Sequence, residues 1–135
     1  MTGSNPIAER QPITVDDLPW ESFVDETGFI PDGPTFKTLM DSGDPEQMFA
    51  YFRFPPDYRA PSHWHPSDTI YIIRRGLFIV EGEKPYHPGD VRWVKGGFAY
   101  GQETAGPEGC EFFLASLGPF AVCDPDENPP PRGSV

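Results

Sequence analysis

PSHWHPSDTIYIIRRG at residues 61–76, followed nine residues later by YHPGDVRWVKGGFAY at 86–100, is the stretch on which the reading of this chain turns. Thr69 to Arg75 is rich in β-branched and aromatic side chains, the composition of a strand, and Gly76 punctuates it. Pro88-Gly89-Asp90 is a turn, VRWV at 91–94 a further strand, and Gly96-Gly97 another break. Inside the first stretch lies His63-Trp64-His65. On extended backbone, positions i and i+2 project to one face, so the spacing aims both imidazoles into a common space. That is how a β-scaffold presents two adjacent metal ligands, and histidine suits Fe, Mn, Ni and Zn alike.

Working outward, FKTLM at 36–40, MFAYFRF at 48–54, LFIVE at 77–81, 98–101 and EFFLASL at 111–117 read as further short strands. Between them stand the turn signals FIPDG at 29–33 and SGDP at 42–45, and a Gly/Pro loop at 105–109. Pro and Gly number 18 and 14 in 135 residues, about twice ordinary usage, which excludes a helical bundle and suits many turns between short strands. No segment of ten residues keeps a helical period; a short turn near Asp16 or Asp17 is the most that is expected. The expected class is therefore all-β, an antiparallel sandwich or barrel in a single domain.

Three regions follow. Residues 1–34 form an arm and edge segment anchored by Trp20, residues 35–123 the barrel, and residues 124–135 a proline-rich acidic tail lying extended on the surface. The charge balance, 10 basic against 21 acidic residues, gives a net of −11, which repels phosphate and argues against nucleic acid or an anionic membrane as partner. No apolar run near the N-terminus reads as a signal-peptide core, so a reducing cytoplasm is the expected setting. Cys110 and Cys123 form no metal or redox motif and are expected as free thiols.

The two quoted segments resemble the motifs of the cupin superfamily, whose fold is a double-stranded β-helix or jelly-roll barrel. The first motif has His-x-His, a carboxylate four residues on, and Gly seven beyond that. His63, His65 and Gly76 keep that spacing, and Thr69 stands at the carboxylate position. The second has Gly in a PGD turn, Pro six on, Gly two further and His three beyond. Gly89 and Gly97 match, Lys95 stands for the proline, and Tyr100 for the histidine. Two of the family's four customary ligands are thus hydroxyl side chains, poorer donors for a divalent ion.

From this resemblance Tyr100 is expected to face the histidines from the opposite strand, as an auxiliary ligand or proton-transfer group. Thr69 shares the parity of His63 and His65, and Gln102 that of Tyr100, so both are expected to complete the pocket. Asp68 has the wrong parity, Glu103 and Glu111 have no assigned direction, Trp64 belongs to the outer face, and His87 to a solvated turn. The resemblance also implies a homodimer and a small-molecule ligand. Three functions are open. One is a metal-dependent oxygenase, isomerase or lyase; another is a metal-free module that only binds a ligand; the third is an acid–base catalyst using a histidine with Tyr100. Retention of both histidines favours the first.

Overall fold

A computed structural model describes residues 10–40, 44 and 46–132. It is built from seven strands: β1 (Glu21–Ser22), β2 (Thr35–Thr38), β3 (Met48–Phe54), β4 (Arg59–Ala60), β5 (Thr69–Val80), β6 (Val91–Val94) and β7 (Glu103–Ser116). The helical content of the described residues is one 3₁₀ turn, Val15–Asp17. All pairings are antiparallel, in the order β1-β2-β3-β7-β5-β6, with β4 paired to β7 off this path. Residues 1–9 of the expected arm, and all of the 42–45 turn but Asp44, lie outside the described residues.

Two expected breaks are not breaks. Gly76 does not end its strand, and the Gly/Pro stretch at 105–109 lies inside β7. The two long strands run together and slip register there: Gly76 pairs with Cys110 and Phe78 with Ala105. The slip is a bulge, and it turns a corner. Beyond it β7 leaves β3 and takes β4 as its neighbour, with Arg59 opposite Thr104. A Cβ on Gly76 would lie 2.1 Å from the carbonyl oxygen of Gly109, and its φ of +73° is one that glycine alone adopts at ease. Glycine here permits close approach of two strands rather than ending one.

Alternation along β5 and β7 fills the barrel. Tyr71, Ile73, Phe78 and Val80 point inward from one strand, and Ala105, Cys110, Phe112 and Leu114 from the other. Phe52 stacks on Phe112 at 5.8 Å, Phe54 meets it edge-on at 5.2 Å, and Tyr71 stacks on Phe78 at 5.6 Å. Each such ring removed from water contributes roughly 1.5–3 kcal/mol. The outer face of β3 is covered too. Trp20 packs on Tyr51 at 5.8 Å, and Asp16 pairs with Arg74 at 3.2 Å. The arm thereby anchors through Trp20, and it also sends Phe23, Ile30 and Pro34 to the cavity mouth.

The tail is docked. Trp64 and Cys123 exchange backbone bonds of 3.2 and 2.9 Å, the Trp64 indole donates to the Asn128 carbonyl at 2.8 Å, and Arg132 N–H donates to the Gly97 carbonyl at 2.9 Å. Cys110 and Cys123 are free thiols.

Candidate functional site

His63-Trp64-His65 sits outside the named strands, as a short extended segment bridged to Tyr100 on one side and Cys123 on the other. The bridges keep the period of two. Both histidines are buried with their rings 5.0 Å apart, while Trp64 lies half-buried on the far side.

Each imidazole is held from behind. His63 Nδ1 is 2.7 Å from the Pro61 carbonyl, and His65 Nδ1 is 2.7 Å from the Ala121 carbonyl. A carbonyl only accepts, so both Nδ1 atoms carry the proton and both Nε2 atoms present lone pairs. Those lone pairs converge. The Tyr100 hydroxyl lies 3.0 Å from His63 Nε2, 2.9 Å from His65 Nε2 and 2.9 Å from the Tyr71 hydroxyl, which is itself 3.3 Å from His65 Nε2. Tyr100 is fixed in turn by its backbone N–H on the His63 carbonyl at 3.2 Å, and by Ser62, whose hydroxyl donates to the Tyr100 carbonyl.

Tyr100 therefore faces the histidines, as expected, whereas Thr69 is fully buried but does not line the cavity. Gln102 is exposed. The alternation that links it to Tyr100 fails because the chain leaves its bridge with His63 at Gly101, pressed against Glu81, and enters β7 two residues later. The slip turns Glu103 inward in its place, 3% exposed, with Oε1 3.8 Å from His63 Nε2. Asp68 accepts from Gly96 N–H at 2.8 Å, and Glu111 from the Tyr51 hydroxyl at 2.6 Å; neither reaches the cavity. His87 is exposed.

Three residues of the site escaped the sequence reading. Tyr71 shares the parity of Thr69, a signal present in the sequence. Glu103 is hidden by the Gly101 slip. Arg92 inverts the polarity of its strand: Val91 and Trp93 are 60% and 58% exposed, while Arg92 is 5% exposed. Its guanidinium donates twice to Glu83, from Nε and Nη2, both at 2.9 Å, and lies 4.4 Å over the Tyr100 ring and 5.3 Å over that of Tyr71.

Burial governs the electrostatics. Desolvation lowers His63 and His65 to about 4, assisted by Arg92, and for His65 by its neighbour His63, so both are neutral at pH 7. Desolvation raises Tyr71 and Tyr100, reinforced by Glu103, so both phenols keep their protons. Glu103 is raised by the same burial and opposed by Arg92. At the centre the Tyr100 hydroxyl is within reach of both imidazoles and Tyr71 also reaches His65, while Glu103 Oε2 is buried without a hydrogen-bond partner.

Among the described residues, no three His, Cys, Asp or Glu side chains form a group spaced to enclose a metal ion. The donors nonetheless suit a divalent cation in kind. Two neutral imidazoles have their tautomers locked from behind, and a carboxylate with an orphaned oxygen adjoins them. Above this floor the cavity is apolar, walled by Phe23, Phe52, Phe54, Tyr58, Phe112 and Phe120, and encloses about 440 Å³ with its open mouth included. Phe120 lies against His65, ring centroids 5.0 Å apart and 25° from parallel.

No protein-family model matches the sequence, and no curated protein matches it. Solved structures do. An acetylacetone dioxygenase from Acinetobacter johnsonii superposes with a TM-score of 0.68 at 21% identity, over 91% of this chain and 83% of that one. The polyketide cyclase RemF from Streptomyces resistomycificus gives 0.65 at 18% identity, over 85% and 84%. An RmlC-like cupin from Shewanella frigidimarina gives 0.59 at 18% identity, over 82% and 92%. Together with the antiparallel register and the two long strands that slip at Gly76, these likenesses give the chain the cupin fold, an RmlC-like β-barrel.

Proposed function

We propose that this chain is a small-molecule cupin enzyme that binds its substrate in the apolar cavity and uses a divalent metal ion held by His63 and His65. The observation that carries the reading is the pair of Nδ1–H bonds to the carbonyls of Pro61 and Ala121, which turn both Nε2 lone pairs to one point. Outer bonds of this kind orient metal-ligating histidines and fix their tautomer. Glu103 is the buried acid beside them, its Oε1 3.8 Å from His63 Nε2, and two imidazoles with one carboxylate are the kind of donors found in open Fe, Mn, Ni or Zn sites, though here they are not spaced to enclose the ion. When bound, the ion would supply Lewis-acid polarisation of a substrate oxygen.

The rest falls to the chain. Tyr100 and Tyr71 keep their protons at neutral pH, so their hydroxyls donate hydrogen bonds to a substrate oxygen. Arg92, over the Tyr100 ring, favours negative charge that develops on that phenol when it gives up its proton. The aromatic walls accept an apolar substrate body and keep water from the polar floor. A dioxygenase and a cyclase among the structural neighbours support a reaction on a small organic molecule, of the oxygenase, isomerase or lyase type.

The test is metal content. Protein purified without a histidine tag is expected to hold a near-stoichiometric divalent ion by elemental analysis, and the His63→Ala variant to lose it. A second reading, a metal-free module that only binds a ligand, is favoured by one observation: the Tyr100 hydroxyl already stands at the point where the two Nε2 atoms converge. It predicts no metal in either protein, and a small ligand that co-purifies.

A further inference from the structure

A second hollow lies beside the edge strand β6, with the Tyr100 ring at its base. Tyr86, Arg92, Trp93, Lys95 and Phe98 form its walls, and it spans about 590 Å³ with its open side included.

Three observations point to an occupant. Arg92 Nη1 is buried without an acceptor, although Nε and Nη2 of the same guanidinium each donate to Glu83. Buried guanidinium N–H groups ordinarily find an acceptor, and stacking on Tyr100 satisfies the face of the group rather than its edge. Lys95 is exposed at the same hollow and makes no ion pair among the described residues. With Glu83 matched to Arg92, Lys95 leaves this spot positive on a chain of net charge −11, where an anion is drawn specifically. Finally, Trp93 is 58% exposed at the opening, a flat apolar surface with no aromatic contact among the described residues, and Tyr86 and Phe98 stand beside it.

We infer that this hollow binds a small planar aromatic monocarboxylate, its carboxylate received by Lys95 and Nη1 of Arg92, its ring laid against Trp93. Arg92 is also the cation over Tyr100, so a carboxylate on Nη1 joins this outer site to the inner one through a single side chain.

Calorimetric titration of the full chain with benzoate, and with the isosteric but uncharged benzamide, tests it. One equivalent of benzoate is expected to bind, with benzamide at least about tenfold weaker, the loss of one charge-assisted contact. Lys95→Gln and Trp93→Ala, both at exposed positions and therefore expected to fold, should each weaken benzoate about five- to tenfold. Arg92→Lys, which keeps the charge but not the planar fork, should weaken it comparably. Absence of benzoate binding overturns the inference, as does equal affinity for benzamide. Binding lost in His65→Ala but kept in Lys95→Gln puts the ligand in the inner cavity and also overturns it. So does a dimer that dissociates in Trp93→Ala while benzoate stays silent, because a second copy then covers the tryptophan.

Discussion

Tyr100 is the residue on which the centre is strung, since its one hydroxyl serves both imidazoles and Tyr71. Tyr100→Phe strands two buried lone pairs and should cost about 1–3 kcal/mol in urea denaturation. Tyr71→Phe should cost less, because Tyr100 then still has both imidazoles. The histidines set the acid limit of the metal-free protein. Unfolded imidazoles titrate near 6.5, whereas the folded pair titrates near 4, so between those values the unfolded chain binds more protons. Stability of chelator-treated protein should therefore fall as pH falls through that window. Glu103 acts in the opposite sense: its folded value is raised, so its contribution is lost as pH rises through that value. Two imidazoles against one carboxyl should leave the histidine slope visible in melts, and it should flatten in His63→Asn. At this scale the sequence showed the histidine pair through its spacing, and Tyr100 only through the resemblance to the cupin motifs. It hid Glu103 and Arg92, because one depends on a slip in alternation and the other on an ion pair that reverses the polarity of a strand.

The long strands β5 and β7 and the docked C-terminal segment are the elements that hold the centre in place. Gly76→Ala sets a Cβ against the Gly109 carbonyl at a positive φ, and should destabilise by about 3 kcal/mol or more in chemical denaturation. Glycine read as punctuation is thus a close-approach residue, and only the pairing partner, remote in sequence, distinguishes the two uses. The segment after β7 carries the carbonyl that sets the His65 tautomer and the ring that flanks it. Phe120→Ala should shift the His65 ring ¹⁵N resonances and weaken metal retention, while Phe120→Leu restores part of both. Proline density made 124–135 read as an extended surface segment. Its anchoring through Trp64, Asn128 and Gly97 rests on backbone groups that composition does not reveal.

For the whole molecule, the turn-rich composition and the two motif segments sufficed for the class of fold, because register in an antiparallel barrel follows from alternation and turn chemistry. Strand ends were legible where proline closes them, as at Pro55, and not where glycine serves a bulge. Among the described residues, no helix is long and apolar enough to cross a membrane. Cys110 is buried, and desolvation with Glu103 pushes its thiol up to about 12, so native protein should react with a thiol reagent at Cys123 first and at Cys110 only on unfolding.

The most direct measurement is elemental analysis of untagged protein beside His63→Ala and His65→Ala, each checked for its native fold by circular dichroism. The account expects close to one divalent ion per chain in the parent and a loss of most of it in both folded variants. A parent that carries no ion after growth in metal-replete medium, or variants that keep theirs, would contradict it.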